Sequence, residues 1–199
     1  MVKKLGAVIL AAGLARRMGR QKLLLQLNGK PLLAHVLDVA GRFAWADCIA
    51  VIGQPQQALA QLCEQYHVKW AVNPFPWQGQ ASSIRLALEQ LAPELDGVLF
   101  FMGDQPFISE PFIQAIVEKF SPDENMKTIV VPQYQGENGS PVLFGSAWRK
   151  SLSALQGDEG GRAILRANTG QVVYLDWPKR QVFADADTWT AYQTMLDGK

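Results

Sequence analysis

The chain has 199 residues, of which 48% are hydrophobic, and its 19 Lys and Arg nearly balance 18 Asp and Glu, leaving a net charge of +1. This composition suffices for one well-packed core, and it excludes attraction to nucleic acid or membranes through bulk charge. Two cysteines are too few for a disulfide-stabilised secreted fold or a cysteine metal site, so we interpret both as buried thiols. We expect one domain over residues 1–199, without a signal peptide or membrane span, in the cytoplasm.

Apolar runs alternate with amphipathic segments along the chain, which predicts βα units around a mostly parallel sheet. The predicted strands are residues 5–11, 48–53, 68–72, 97–102, 128–131, 141–144 and 171–176. The predicted helices run from Pro31 to about Phe43, from Pro55, after the loop 73–79, after a cap at Ser109, and over 188–196. The glycine-rich stretch 157–161 interrupts two further helical stretches.

The first predicted strand leads directly into the segment 10–22, which reads LAAGLARRMGRQK. A glycine-bearing loop that leaves a buried strand can turn its backbone N–H groups towards an anion. The loop also carries Arg16, Arg17 and Lys22, whose charges can bind phosphate oxygens. Its spacing is neither a Walker loop nor a G-x-G-x-x-G fingerprint. The segment therefore indicates a polyphosphate site, with a solvated basic loop as the alternative.

The strongest strand pattern, residues 97–102, is followed by the tetrad Gly-Asp-Gln-Pro, in which the carboxylate is Asp104. Ligands collect at the carboxyl ends of strands in open α/β sheets. A carboxylate at such a position can hold the Mg²⁺ that bridges the phosphates of a nucleotide. By itself the tetrad favours an ordinary Asp-x-Pro turn, in which the aspartate caps nearby N–H groups. Together with the cationic loop at the same sheet edge, it predicts a metal site.

These motifs resemble, in order, those of the MobA-like NTP transferases, the nucleotidyltransferases typified by the molybdenum cofactor enzymes MobA and MocA. The matching segments are A-A-G-x3-R-M-G-x2-K at 11–22, GQASSIR at 79–85, GDQP at 103–106, GSPVLF at 139–144, GDEGGR at 157–162 and DADT at 185–188. The Ala-Ala-Gly turn and the GDQP tetrad resemble the cytidylyl-transferring MocA-like branch. The chain departs from the family at Ser140, where Asn is usual, and at Trp189, where an Asp-Thr-Pro-Glu-Asp tail is interrupted.

The resemblance implies a three-layer α/β/α, Rossmann-like fold with a mostly parallel sheet, of the nucleotide-diphospho-sugar-transferase type. It implies transfer of CMP from CTP to the terminal phosphate of the molybdenum-bound pterin cofactor, with release of pyrophosphate and with Mg²⁺ as cofactor. The substrates would be CTP and the molybdenum pterin. A transient contact with a molybdoenzyme or its maturation chaperone would follow, and neither nucleic acid nor a membrane would take part.

The resemblance also assigns residues. The implied catalytic residues are Arg17, Lys22 and Asp104. The implied nucleotide-binding residues are Leu10, Ala11, Ala12, Gly13, Arg17, Lys22 and Ser83. Asp104 is the implied metal ligand, with Asp185 and Asp187 as possible further ligands or as caps of the last helix. Ser83 would read a pyrimidine edge or cap its own helix, and Arg162 would meet an anionic second substrate or form a surface ion pair.

Three other functions stay open on the sequence alone. The chain could transfer GMP to the same cofactor or a nucleotide to another small phosphate. It could also be a non-catalytic carrier of the molybdenum cofactor, although a carrier needs neither a triphosphate site nor a metal carboxylate. A small oxidoreductase is the third alternative, and the lack of a G-x-G-x-x-G fingerprint after the first strand weighs against it.

Overall fold

The structure, a computed structural model, describes residues 3–14, 18–19, 21–121 and 125–198. Its strands are β1 (Leu5–Ala11), β2 (Gln26–Leu27), β3 (Lys30–Pro31), β4 (Asp47–Ile52), β5 (Lys69–Val72), β6 (Gly97–Met102), β7 (Ile129–Tyr134), β8 (Glu137–Asn138), β9 (Val142–Gly145) and β10 (Val172–Asp176). Its helices are α1 (Leu32–Ala40), α2 (Gln56–Gln65), α3 (Gln80–Gln90), α4 (Glu110–Lys119), α5 (Arg149–Ser153), α6 (Arg162–Ala167) and α7 (Trp189–Leu196).

The main sheet has the strand order β10-β7-β9-β6-β1-β4-β5, with β8 paired to β7. Strand β1 pairs in parallel with both β4 and β6, β4 pairs in parallel with β5, and β7 pairs in parallel with β10. Strand β9 runs antiparallel to β6 and β7. From β1 the chain proceeds to β4 and β5 on one side and then crosses to β6 on the other. Such a switch in strand order opens a crevice at the carboxyl ends.

The residues of β1 alternate between two apolar layers because successive side chains of a strand point to opposite faces. Ile9 packs in the layer that holds α1, α2 and α4, and Val8 packs in the layer that holds α3, α5 and α6. All seven residues of β1 are buried, as expected for a central parallel strand covered on both faces. The predicted three-layer α/β/α, Rossmann-like fold with a mostly parallel sheet is confirmed.

A third, smaller cluster attaches the last helix to the body of the molecule. Leu27 of the short β2–β3 hairpin and Leu32, the first residue of α1, pack against Ala186 and against Met195 of α7. This packing returns the segment that precedes α7 to the carboxyl edge of the sheet, where Ala186 N–H donates to the carbonyl of Asp104 (3.2 Å). The cluster therefore explains how residues near position 187 reach a site built on β1 and β6.

Two local predictions need correction. Helix α1 ends at Ala40, earlier than the predicted Phe43, because the chain turns at Gly41 so that Ala46 N–H can donate to Leu5 O (2.8 Å) beside β4. Ser109 lies at the N-cap of α4 as predicted, but its side chain makes no capping hydrogen bond. Among the residues described, no helix has the length and apolar character needed to cross a bilayer.

Candidate active site

Four parallel strands end at one edge of the sheet, where the candidate site lies. Gly13 lies just beyond β1, Gly53 follows β4, Asn73 follows β5 and Asp104 lies just beyond β6. The backbone N–H of Gly103 donates to Leu10 O (3.0 Å). A Cβ at position 103 would lie 3.0 Å from that same oxygen, so glycine permits the close approach of the two strand exits.

Lys22 joins two of the carboxylates at this edge. Its Nζ donates to Asp104 Oδ2 and, at 2.5 Å, to Asp187 Oδ1. The side chains of Lys22 and Asp104 are only 13% and 9% exposed, whereas that of Asp187 is 48% exposed. Burial lowers the pKa of Lys22, but its interactions with Asp104 and Asp187 outweigh that effect and hold the pKa above the ordinary value. The lysine therefore stays positively charged between the two carboxylates.

Gln21 fixes the backbone that presents Lys22, and sequence reasoning did not identify it. Its Oε1 accepts from Leu23 N–H (3.3 Å), which caps the short 3₁₀ helix Lys22–Leu24. Its Nε2 donates to Gln54 O (2.6 Å) in the loop after β4. Glutamine adjacent to a predicted phosphate-binding lysine carries no recognisable pattern, since its role depends on a loop 33 residues away.

The two aspartates before α7 do not cap it. Thr188 is the N-cap, and its Oγ1 accepts from Ala191 N–H (3.1 Å), so the capping alternative for Asp185 and Asp187 is wrong. Asp187 contacts Lys22 instead. Desolvation in the cleft wall, with the negative charges of Asp187 and Asp104, raises the pKa of Asp185. The three carboxylates thus influence one another at the end of the sheet.

A first cleft of about 390 Å³ lies against the exit of β1. Its walls include the residues of the nucleotide-binding prediction that the structure describes: Leu10, Ala11, Ala12, Gly13, Lys22 and Ser83. Asp104 and Asp187 also line it, and Trp77, which is 63% exposed, stands at its wall. Arg16 and Arg17 lie outside the described residues. Lys22, Asp104 and Asp187 together make one end of this cleft charged.

Ser83 lies inside α3, so the alternative that it caps this helix is wrong. The N-cap of α3 is Gly79, and the first helical N–H, that of Gln80, donates to Asp158 Oδ1 (3.1 Å). The hydroxyl of Ser83 instead accepts from Asn73 Nδ2 (2.9 Å), and both residues are buried. Asn73 was missed, although it follows a predicted strand as Asp104 does, and that position was an available clue.

A second, larger cleft of about 1330 Å³ opens on the other side of Asp104 and Asp187, which line both clefts. Tyr134, Tyr174 and Arg162 contribute to its walls. The exposed Arg162 forms no ion pair with any described residue, so the surface ion-pair alternative is not realised within the described part of the chain. Two clefts that meet at one pair of carboxylates provide room for two substrates.

Ser140, where the family usually has Asn, is part of the second cleft and is held by the GDQP tetrad. Its Oγ donates to Gln105 Oε1 (2.8 Å), and Gln105 Nε2 donates to Phe183 O (3.2 Å). Gln105 is buried, and its two hydrogen bonds link the exit of β6 to the wall of the second cleft. The departure from the family at position 140 preserves a hydrogen-bonding side chain at this point.

The donor set at the junction of the clefts fits a hard divalent cation. Asp104 and Asp187 already converge on one positive charge, the ammonium of Lys22. Within the described residues, no group of three or more His, Cys, Asp and Glu side chains could hold a metal ion. Mg²⁺ commonly takes one or two protein carboxylates and completes its shell with phosphates and water. The junction can therefore hold such an ion together with a substrate phosphate.

Known proteins resemble this chain in fold and in sequence. Rv0371c of Mycobacterium tuberculosis superposes with a TM-score of 0.87 at 27% identity over 99% of each chain. A further structure of that protein, in complex with manganese, gives a TM-score of 0.82 at 25% identity, over 99% of this chain and 100% of the other. The probable molybdenum cofactor guanylyltransferase of Synechococcus elongatus is 37% identical over 112 residues, 55% of each protein.

The bifunctional protein GlmU of Streptomyces coelicolor is 27% identical over 194 residues, which cover 93% of this chain but 39% of GlmU. The chain thus spans about two fifths of that relative. The domain model of the MobA-like NTP transferases matches residues 7–172, from β1 to the start of β10. This match covers most of the chain and includes the exits of β1, β4, β5 and β6. The chain therefore belongs to the MobA-like NTP transferase family.

Proposed function

We propose that this nucleotidyltransferase moves CMP from CTP to the terminal phosphate of a molybdenum-bound pterin cofactor and releases pyrophosphate. The observation that carries the proposal is the junction at which Lys22, Asp104 and Asp187 separate two clefts. The smaller cleft would hold CTP, and the larger cleft would hold the phosphorylated acceptor. The Ala-Ala-Gly turn and the GDQP tetrad support cytidylyl transfer, because both resemble the MocA-like branch.

The reaction would need no general base. An oxygen of the acceptor phosphate is already ionised near neutral pH, so it can form the new bond to the α-phosphorus directly. The bond from that phosphorus to the bridging oxygen breaks, and the electron pair leaves with pyrophosphate. Catalysis would then rest on positioning and on neutralising charge. Lys22 would stabilise the triphosphate and the leaving pyrophosphate, and Arg17 is proposed for the same task.

Asp104 and Asp187 would hold a divalent cation, for which Mg²⁺ is our proposal and the manganese complex of Rv0371c gives support. When bound, such an ion supplies Lewis acidity at the α-phosphate. Asp185, in the wall of the larger cleft, would add negative charge near Asp104 and Asp187. Lys22 contacts the same carboxylate oxygens, so binding of the cation would require the ammonium to move from them towards the phosphates.

Guanylyl transfer to the same cofactor is the second candidate, and a specific observation favours it. The Synechococcus relative that is 37% identical is named a probable molybdenum cofactor guanylyltransferase. Both candidates share the acceptor and the junction and differ only in the base that the smaller cleft admits. Contact of the chain with a molybdoenzyme or its maturation chaperone stays a prediction of the family resemblance.

A nucleotide panel tests the proposal. Pyrophosphate release would be measured with Mg²⁺, molybdenum-loaded pterin and each of CTP, GTP, ATP and UTP. We expect release with CTP alone, and none when the acceptor is omitted. Release with GTP would replace cytidylyl by guanylyl transfer and leave the mechanism intact. Silence with all four nucleotides, for a folded protein, would contradict the molybdenum pterin as acceptor.

A further inference from the structure

The orientation of the Asn73 amide is fixed by hydrogen-bond chemistry. Its Oδ1 lies 2.8 Å from the backbone nitrogen of Phe75. A backbone N–H can only donate, so the amide oxygen must face Phe75 and the NH₂ group must face α3. There Nδ2 lies 2.8 Å from Ser82 Oγ and 2.9 Å from Ser83 Oγ. Each of the two amide hydrogens is thus donated to one serine.

The two serines differ in whether the protein provides an acceptor for their own hydroxyl protons. A serine hydroxyl has one proton to donate and two lone pairs that accept. The hydroxyl of Ser82 lies 2.8 Å from Gly79 O and 3.1 Å from Phe75 O, so its proton is used within the protein. Within the part of the chain that the structure describes, Ser83 Oγ has Asn73 as its sole hydrogen-bond partner.

Ser83 lines the smaller cleft and is buried, at 5% exposure, whereas Ser82 does not line that cleft. A buried hydroxyl proton without an acceptor is costly, so it gains from a partner on a bound ligand. Because Asn73 Nδ2 donates to Ser83 Oγ, the serine proton points away from the amide and is free to donate to a ligand in the cleft. An oxo group or an unprotonated ring nitrogen of a base is a suitable acceptor.

We propose that Asn73 is a positioning residue that makes Ser83 a hydrogen-bond donor to the nucleotide base. The inference rests on the proposed function, because it takes the smaller cleft as the nucleotide site. It adds the direction of the hydrogen bond: Ser83 donates to an acceptor atom of the base, such as O2 or N3 of cytosine. Asn73 itself does not line the cleft and would act only through Ser83.

Asn73→Asp reverses this arrangement with little change of shape. The new carboxylate still accepts from Phe75 N–H, but it has no hydrogens to offer the serines. Its second oxygen can only accept, so the proton of Ser83 would turn away from the cleft and towards the carboxylate. Asn73→Ala removes the amide donor without adding a charge and leaves the Ser83 hydroxyl free to rotate.

Equilibrium binding of CTP, UTP, GTP, ATP and inorganic tripolyphosphate tests the proposal without any turnover. The quantity compared is the affinity for the best nucleotide divided by the affinity for tripolyphosphate, which reports the contribution of the nucleoside. We expect Asn73→Asp and Ser83→Ala to lower this ratio at least about tenfold. Asn73→Ala should lower it by less, and the combined Asn73→Asp and Ser83→Ala variant should lose no more than either alone.

Ser82→Ala is the matched control, because it removes the neighbouring hydroxyl that Asn73 also holds, away from the cleft. It should reduce the melting temperature and keep the wild-type ratio. If Ser83→Ala and both Asn73 variants keep that ratio, the positioning role is wrong. If the wild type prefers GTP, cytidylyl transfer is wrong, but the positioning role is still tested, because the ratio is then measured with GTP in every variant. Wild-type binding of tripolyphosphate as tightly as every nucleotide would overturn both proposals.

Discussion

Lys22 contacts two carboxylates that lie 82 and 165 residues further along the chain. The contact with Asp104 follows from topology, because β1 and β6 are neighbours in the sheet and both residues come after their carboxyl ends. The contact with Asp187 depends on α7 packing back against the β2–β3 hairpin. One ammonium therefore connects the first and the last parts of the fold at the candidate reaction centre.

Lys22→Met should make the stability of the protein depend on a divalent cation. Without such ions, the two carboxylates lose their positive partner, and we expect unfolding to become easier by about 2 kcal/mol. Adding Mn²⁺ or Mg²⁺ should raise the melting temperature of the variant more than that of the wild type. Equal melting temperatures with and without ions in both proteins would show that the carboxylates do not form a cation site.

Asp104→Asn should abolish most of the turnover while the fold is retained. The variant keeps the shape of the side chain and loses the charge that would hold the cation, so turnover is expected to fall about 100- to 1,000-fold. Steady-state pyrophosphate release measures the effect. Asp38→Asn is the matched control, since Asp38 pairs with Lys30 and Arg42 on the surface of α1. Turnover that is equal in both variants would remove Asp104 from the mechanism.

The Cys63 thiol, fully buried on α2, should make the protein less stable at alkaline pH. Burial raises its pKa from 9.0 to about 12. Between these values the unfolded chain releases the proton while the folded chain keeps it, so the free energy of unfolding falls as pH rises, by about 1 kcal/mol per pH unit. Urea unfolding from pH 8 to 10 should show a steeper fall for the wild type than for Cys63→Ala. If the free energy of unfolding falls equally with pH in both proteins, the raised pKa of Cys63 is contradicted.

At the residue scale, the sequence predicts those positions whose role follows from a local motif. Lys22 and Asp104 each follow a recognisable apolar strand and belong to a motif, and both line the first cleft. Asn73 also follows a strand, but a single asparagine carries no motif, and its purpose depends on the serines of α3. The choice between ligand and cap for Asp187 could not be made, because it depends on how α7 returns to the sheet.

At the element scale, α3 is fixed at both ends by the segment 149–158. The N–H of Ala81 donates to Gly157 O (3.0 Å), next to the cap that Asp158 supplies to Gln80. At the other end, the guanidinium of Arg149 donates to Leu91 O and Ala92 O, both at 2.8 Å. These contacts hold the helix that carries Ser83, so the loop 157–161 supports the first cleft even though most of its residues lie elsewhere.

Gly79→Ala should release the N-terminus of α3. Gly79 has a φ of +83°, and a Cβ there would lie 2.4 Å from the carbonyl carbon of Gly157. We expect a loss of about 3 kcal/mol in the free energy of unfolding, measured in urea, together with weaker nucleotide binding. Gly136→Ala is the control, because Gly136 has a φ of +82° and open space around it.

The control places alanine at a positive φ without the steric clash, so it should cost only about 1 kcal/mol and leave nucleotide binding unchanged. Equal losses of unfolding free energy in both variants would contradict the close contact between position 79 and the loop 157–161.

The predicted elements were recovered where the apolar run or the helical period was long. Strands β1, β4, β5 and β6 occur close to their predicted positions, because buried parallel strands form nearly continuous apolar runs. The antiparallel insertion of β9 between β6 and β7 could not be read from its sequence, since an isolated apolar run does not specify its neighbours or direction. The two-residue strand β8 is too short to leave a pattern.

At the scale of the whole molecule, one switch in strand order creates both clefts. The crossing from β5 to β6 places the exits of β1 and β6 side by side, and the antiparallel β9 directs the second half of the chain to the far side of Asp104. The smaller cleft is therefore lined mainly by the first half of the chain and the larger one mainly by the second. This division suits an enzyme that joins a nucleotide to a separate phosphorylated acceptor.

Transfer of label from nucleotide to acceptor tests this central claim most directly. The protein would be incubated with Mg²⁺, molybdenum-loaded pterin and CTP labelled either at the α-phosphate or at the γ-phosphate. Nucleotidyl transfer predicts that α-label appears in the pterin product and γ-label appears in pyrophosphate. Label from the γ-phosphate in the pterin, or α-label that is released only as free CMP, would contradict it.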